Sequence, residues 1–420
     1  MKRFVLLLLL AAMLLSLTAC FTITDDTNTP PEDTVPPEEE HLSAEVEEDK
    51  VWQRTAGAPW NGGEGQTVSA DFERISGAAA HGMTVGQELL LLDFMDCYYQ
   101  SIASLQVIDP TALFADAGEV TYHKNIWHGL CVIRKLSPLD LTMTSYSYSL
   151  RCVSLTPSEE TEGDVDVVLK ENNVVYFTGL DGLPSEQFGI EHTFTLRGTG
   201  DRWRIVSHWS DDNPYYSADY DRAAQQDRNF PAITDYIAAR RELKRDTAAP
   251  AVTADHPYDR AAARAYMLSY VGSRNPDFMA YDELGGNCMN FGSQVLAAGG
   301  IPMDTSGGYE TGWYWFSGGR STLPWVNVGG FLDYAAAERE SGLVAVVGAP
   351  YFSGQTGDIL TMGVDEPANH TTVILDVIRD GDGNVVDYLL CSNTADLRNF
   401  PASAYYYTNR QLTKIVGWND

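Results

Sequence analysis

Apolar and polar positions divide the chain into segments of different character. Phe4 to Leu15 is an unbroken apolar run behind the basic pair Lys2-Arg3. A bilayer span needs roughly 20 apolar residues, so residues 1–20 are expected to be a signal segment rather than a membrane helix. Residues 21–84 show no sustained apolar period. They contain Asp25-Asp26, Pro30-Pro31, Pro36-Pro37 and Glu38-Glu39-Glu40. Acidic, proline-rich sequence buries too little apolar surface to fold, so a disordered tether is expected there.

Periodicity begins at residue 85. Gly86–Leu105 carries Leu89, Leu90, Leu92, Phe94 and Met95 and predicts an amphipathic helix. Strands are predicted at Trp127–Leu136, Leu141–Leu155, Asp164–Phe177, Glu191–Leu196 and Trp203–Trp209. Helix followed by a run of strands predicts an α+β domain over 85–212. Residues 213–254 are charged, carry Arg240-Arg241 and Lys244-Arg245, and read as a helical linker ending at Ala248-Ala249-Pro250-Ala251.

The second domain is expected over 255–420. Tyr258, Ala262, Ala265 and Tyr266 share one helical face. Asn287 to Ala298 forms a second predicted helix, with Asn287 as N-cap, Gly299-Gly300 at its end and Pro302 beyond. A short helix at Phe331–Ser341 follows. Strands are predicted at Asp358–Met362, His370–Ile378 and Val386–Asn393, and Asp380-Gly381-Asp382-Gly383 marks a hairpin between the last two.

Charge and cysteine content narrow the classes. A net charge of −30 leaves no basic footprint and excludes a nucleic-acid partner. Six cysteines in 420 residues are not a disulfide scaffold. Cys131 and Cys152, on neighbouring predicted strands, are read as two buried free thiols, although a disulfide is permitted outside the cell.

The candidate chemistry centres on Cys288, at the first position of its helix. The positive end of a helix favours thiolate, so Cys288 is expected to ionise below the free-cysteine value of about 8.5. A nucleophilic thiol needs a base and a group that orients the base. His370 stands at the head of a strand, and a two-residue turn at Gly381-Asp382 would set Asn393 opposite it. The catalytic candidates are therefore Cys288, His370 and Asn393. Structural zinc wants four ligands and this pair supplies two, so no metal is expected and no cofactor is needed. The alternative reading is a structural cysteine and histidine. His192 and His208, on the predicted strands of the first domain, are read as satisfied strand histidines.

Three resemblances add to this picture. Leu17-Thr18-Ala19-Cys20 resembles a bacterial lipobox. It implies lipidation of Cys20, membrane attachment and an extracytoplasmic location. His192-Thr193-Phe194-Thr195-Leu196 with Trp203-Arg204-Ile205-Val206-Ser207-His208 resembles the last hairpin of SnoaL-like α+β cones. Residues 255–420 resemble the amidase domain of bacterial surface proteins, in the papain-like superfamily with the NlpC-type cell-wall peptidases. The carrying pieces are Tyr258-Asp259-Arg260, Arg274-Asn275-Pro276 and Asn287-Cys288-Met289-Asn290-Phe291 with Ser293-Gln294. Ala298-Gly299-Gly300-Ile301-Pro302, Trp325-Val326-Asn327-Val328, Gly357-Asp358-Ile359 and His370 complete them. The resemblance implies a papain-like domain in which a cysteine helix packs on an antiparallel sheet, with Cys288 as nucleophile and His370 as base. Family members carry histidine where Asn393 stands, aspartate at Asn287 and threonine at Met289. The expectation is a cone-like α+β domain followed by a papain-like thiol hydrolase of amide bonds, with peptidoglycan peptides within its reach. The rival expectation is a non-catalytic ligand- or cell-wall-binding protein.

Overall fold

The computed structural model describes residues 52–55, 75–200, 202–211, 251–316, 320–363, 368–407 and 409–420, with single residues 238, 243 and 248. The signal segment, Cys20, most of the tether and most of the 213–254 linker lie outside the described residues. Strand β1 (Trp52–Thr55) precedes helices α1 (Val85–Ser104) and α2 (Ala117–Lys135). Strands β2 (Met143–Pro157), β3 (Asp164–Phe177), β4 (Pro184–Thr199) and β5 (Arg202–Ser210) follow. After β6 (His256–Pro257) come α3 (Arg260–Tyr270), α4 (Cys288–Ala298), β7 (Trp315–Phe316), β8 (Arg320–Ser321), α5 (Leu323–Val326) and α6 (Val328–Ala336). The chain closes with β9 (Gly342–Ala349), β10 (Ile359–Gly363), β11 (His370–Arg379), β12 (Val385–Ser392), β13 (Asp396–Pro401) and β14 (Asn409–Asn419). The fold is α+β, with antiparallel strand pairing throughout the main sheet.

Local sequence explains the helix starts. Thr84 and Gln87 form a capping box at α1. Asp116 accepts from the backbone of Gly118 and Glu119 and starts α2. That cap corrects the strand predicted at Trp127–Leu136. The segment holds the β-branched pair Val132-Ile133, but it continues a helix begun ten residues earlier, and Val120, His123, Ile126, Trp127, Leu130 and Ile133 are buried at helical spacing. Cys131 therefore sits on a helix and Cys152 on a strand; both are buried and they are not joined in a disulfide.

The tether boundary also shifts. Trp52–Thr55 pairs with Tyr148–Ser145 of β2. Ile75 is fully buried, and its N–H donates to Glu88 Oε1 at 2.7 Å. Ser76 bridges the backbone of Leu150 and Cys152. A lone isoleucine among glycines gives no local signal; its burial depends on partners far along the chain.

The two expected domains share one sheet. β4 is long enough to offer two partners along one edge. Its later residues pair with β5, and Glu186, Gln187 and Phe188 pair with Arg398, Leu397 and Asp396 of β13. From there the sheet runs β13-β12-β11-β10-β14. The core is shared as well. One apolar cluster extends from Phe94 and Trp127 to Ile374, Tyr388 and Leu412. A second lies under α3, α4 and α6 and includes Val373, Leu375 and Ile415. Alternation along β11 thus sends neighbouring residues into different cores, so both faces of this strand are buried.

The second core has a buried ionic seam. Asp358, at the entry to β10, is wholly buried and accepts from Arg260 Nη1 at 2.8 Å, Ile415 N at 3.0 Å and Gln355 N at 2.8 Å. Burial pushes its carboxyl above the usual range, and Arg260 and Lys414 oppose that. Arg260 also donates to the carbonyls of Thr356 and Ile415. Removing one member of a buried pair strands the other charge. Arg260→Ala is expected to lower stability by about 3–5 kcal/mol in urea unfolding; a loss below about 1 kcal/mol would contradict this account.

Candidate active site

The loop before α4 turns sharply. Gly285 and Gly286 take φ values of 109° and 113°, and a Cβ on Gly286 would lie 3.2 Å from Thr394 Oγ1. The N–H of Asn287 donates to that same oxygen at 2.5 Å. Thr394 and Ala395 themselves take left-handed φ values of 91° and 45°. This turn is held by Asp396, which accepts from Thr394 N at 2.8 Å and from both terminal nitrogens of Arg274. The position of the Cys288 helix is thereby tied to β13.

Asn287 is not a side-chain cap, contrary to expectation. Its backbone, at φ −104° and ψ 1°, is not extended as a cap residue is, and its Oδ1 accepts instead from Tyr281 N and Asn290 Nδ2. The remaining polar residues of α4 bind its surroundings. Asn290 Oδ1 accepts from Trp325 Nε1, Ser293 Oγ accepts from Trp313 Nε1 and donates to the Trp325 carbonyl, and Gln294 accepts from Tyr266 OH. At the helix end, a Cβ on Gly299 would lie 2.0 Å from the Tyr258 ring, so glycine is required there.

Cys288 is 8% exposed. The backbone N–H groups of Thr371, Met289 and Cys288 stabilise its thiolate, as a helix start should, but burial is the larger influence and pushes the thiol up. The expected low ionisation is corrected accordingly: desolvation outweighs the helix terminus.

His370 begins β11 and is buried. Its Nε2 lies 3.1 Å from Tyr405 OH, and its ring stacks on Tyr405 and Tyr407 with centroids 5.7 and 5.4 Å away. Burial lowers its pKa to about 4, so the imidazole is neutral at pH 7. Tyr407, whose hydroxyl is pushed up chiefly by burial, also lies within electrostatic reach of Cys288. Cys288 and His370 share neighbours: Thr371, next in the chain to His370, donates its N–H to Cys288, and Tyr407 lies near both. They share no direct hydrogen bond among the described residues.

Asn393 is not brought to His370. The hairpin turn closes at Asp380 and Asn384 with three residues between. Bulges near Leu375 and Val386 lie on opposite strands and cancel. Val373 then pairs with Cys391, and two residues on, that register sets Asn393 against Thr371. The odd loop places Asn393 on the other face from His370. Its Nδ2 donates to the Ser273 carbonyl. Tyr405 stands where the sequence reading placed Asn393. The tyrosine run 405–407 is its one sequence signal, and it lies beyond the last predicted strand, Val386–Asn393.

Residues 257–416 match the family model described as "Putative amidase domain". This supports a hydrolase acting on amide bonds. "Uncharacterized protein YhbB" of Bacillus subtilis (strain 168) is 32% identical over 120 residues, covering 28% of this chain and 37% of that protein. The match therefore spans little more than a third of that relative. No solved structure matches.

Alkylation of Cys288 should reflect its burial. With iodoacetamide and mass spectrometry, its rate in the folded protein is expected to rise with a midpoint above the free-cysteine value of about 8.5. A midpoint below that value would show that the helix terminus dominates.

Proposed function

We propose that the chain is a cell-surface lipoprotein, lipidated at Cys20, whose C-terminal part is a papain-like, cysteine-dependent amidase or peptidase. The observation that carries the reading is the setting of Cys288. The helix start and the N–H of Thr371 meet at its sulfur, and Tyr407, on which the His370 ring stacks, lies within its electrostatic reach. The pairing of α1 and α2 with strands β2–β5 supports the cone-like reading of the N-terminal half.

The resting pair is a neutral thiol and a neutral imidazole. In this reading His370 donates Nε2–H to Tyr405, leaving Nδ1 bare to accept a proton. Cys288 Sγ attacks the amide carbonyl as its proton passes to His370, and the carbonyl electrons move to oxygen. Backbone N–H groups at the start of α4 stabilise that oxyanion. The carbonyl re-forms, the C–N bond breaks, and His370 gives the proton to the leaving amine. Water then attacks the thioester with His370 again as base, releasing the acid and restoring the thiol. Peptidoglycan stem peptides are the proposed substrates because a lipid-tethered protein would reach them.

Burial of Cys288 favours a second reading, a non-catalytic cell-wall binder. Turnover of muropeptides separates the two. Cys288→Ser and His370→Ala are expected to abolish hydrolysis, with losses of at least about 10²-fold. Tyr405→Phe removes one hydrogen bond, worth about 1 kcal/mol, and should slow kcat roughly fivefold. Folded wild-type protein that binds muropeptides but never cleaves them would establish the binder.

A further inference from the structure

A cleft lined by cations lies at the end of β11 away from His370. Its walls come from the loop after β9, the β11–β12 hairpin and β14, with Ser353, Gln355, Arg379, Asn384 and Lys414 among them. Its volume is about 390 Å³. His370 begins β11 and Arg379 ends it, about 30 Å apart at roughly 3.3 Å per residue. The cleft is therefore remote from Cys288, which packs at the Thr371 end of the strand.

Its charge runs against that of the chain. The net charge is −30, yet none of the lining residues carries a carboxylate and two of them are cations. Lys414 belongs to the buried ionic seam. Its Nζ donates to the Ser353 carbonyl at 2.8 Å and to Gln355 Oε1 at 3.0 Å, and lies 3.8 Å from Asp358 Oδ2. Asp358 is already paired with Arg260 at 2.8 Å. Two cations thus share one carboxylate, which leaves the seam one positive charge in excess. Burial works against that charge and lowers the Lys414 pKa; Asp358 opposes the lowering and Arg260 adds to it.

Arg379 is the second cation. Its Nη1 donates to the Gly383 carbonyl at 2.9 Å, and it forms no ion pair among the described residues. The next residue, Asp380, is engaged in the hairpin turn. Its carboxylate accepts from the backbone N–H groups of Asp382 and Asn384 and from Asn384 Nδ2. Asp382 is exposed in the same turn. At the opposite wall, the Ser353 hydroxyl is buried and has no hydrogen-bond partner among the described residues.

Charges held out of water keep a counter-charge beside them. Here the excess cation, the unpaired guanidinium and the idle hydroxyl all border one cleft. We propose that this cleft is a binding site for a small dianionic oxyanion of the phosphate-monoester class, held between Arg379 and Lys414. A dianion neutralises both cations, whereas a carboxylate or a phosphodiester leaves one unmatched. The planar fork of Arg379 can meet two ligand oxygens at once, and Lys414 acts as a point charge. Ser353 Oγ would find an acceptor in the same ligand. The site is independent of the amide-hydrolysis reading, since it shares no residue with Cys288, His370 or Tyr405.

Unfolding of the full chain in urea tests the site against Arg379→Glu, which sets a carboxylate in the cleft at an exposed position outside the seam. A ligand that binds only the folded protein lowers the unfolding constant by the factor 1 + [L]/Kd. With inorganic phosphate at about 20 mM and about pH 8, against sodium chloride of equal ionic strength, the wild-type constant is expected to fall about tenfold further than that of the variant, as for a Kd of roughly 2 mM. Phosphate also stabilises proteins by exclusion from their surface, and that effect is common to both proteins. Equal effects on the two overturn the proposal. Dimethyl phosphate, which carries the single charge of a lipid headgroup, and acetate should each separate wild type from variant by less than about twofold. Either one matching inorganic phosphate overturns the assignment to a dianion. Should the variant not fold, the backbone amide resonances of Gly354 and Asn384 in the wild-type protein decide. They are expected to shift saturably with phosphate and not with chloride, and resonances that phosphate leaves unmoved overturn the proposal.

Discussion

The pairing of β13 with the first residues of β4 is the constraint on which the rest depends. Three backbone pairs and the Glu186–Arg398 ion pair join the halves of the chain into one sheet. Ser185 Oγ adds a bond to the Asn399 carbonyl at 2.7 Å. The same strand supplies Asp396, which fixes both Arg274 and the turn at Thr394. Thr394 in turn holds the N–H before Cys288. The nucleophile candidate is therefore positioned by a strand whose other edge belongs to the N-terminal half. A sheet edge paired in this way is also protected from association with other chains.

The two cores bury polarity differently. Under α4, nearly every polar side chain bonds to a fixed donor or acceptor, and the Trp313 and Trp325 indoles are held by Ser293 and Asn290. Buried polar groups satisfied in this manner specify one packing arrangement. In the N-terminal half, the titratable groups Glu171, His192, His208 and His123 lie within hydrogen-bond distance of one another instead.

Much of this was legible in the sequence. Asp164–Phe177 was read with its correct bounds, and the Cys288 helix ends where its glycines indicated. What failed depended on long-range partners or single-residue offsets. Trp127–Leu136 has strand composition but inherits helical geometry from the Asp116 cap. Asn393 missed His370 because a hairpin loop of odd length reverses faces, and loop length was ambiguous among four alternating aspartates and glycines. β13, the joining strand, was not read at all: Asp396–Pro401 is six residues long, with Arg398 and Asn399 in its middle. The helix-terminus argument for Cys288 named a real influence but lacked the burial that outweighs it.

The burial of Cys288 has a consequence for durability. Peroxides attack thiolates, and they need access; a thiol that burial keeps protonated offers neither. Oxidation beyond the sulfenic stage destroys a nucleophile permanently, and sulfinic and sulfonic acids are rarely recovered. A cysteine that ionises only when a substrate opens its surroundings would stay reduced between encounters, at the cost of a slower first step. Its exposed lifetime, more than its intrinsic acidity, would then set how long each molecule remains competent in oxidising surroundings.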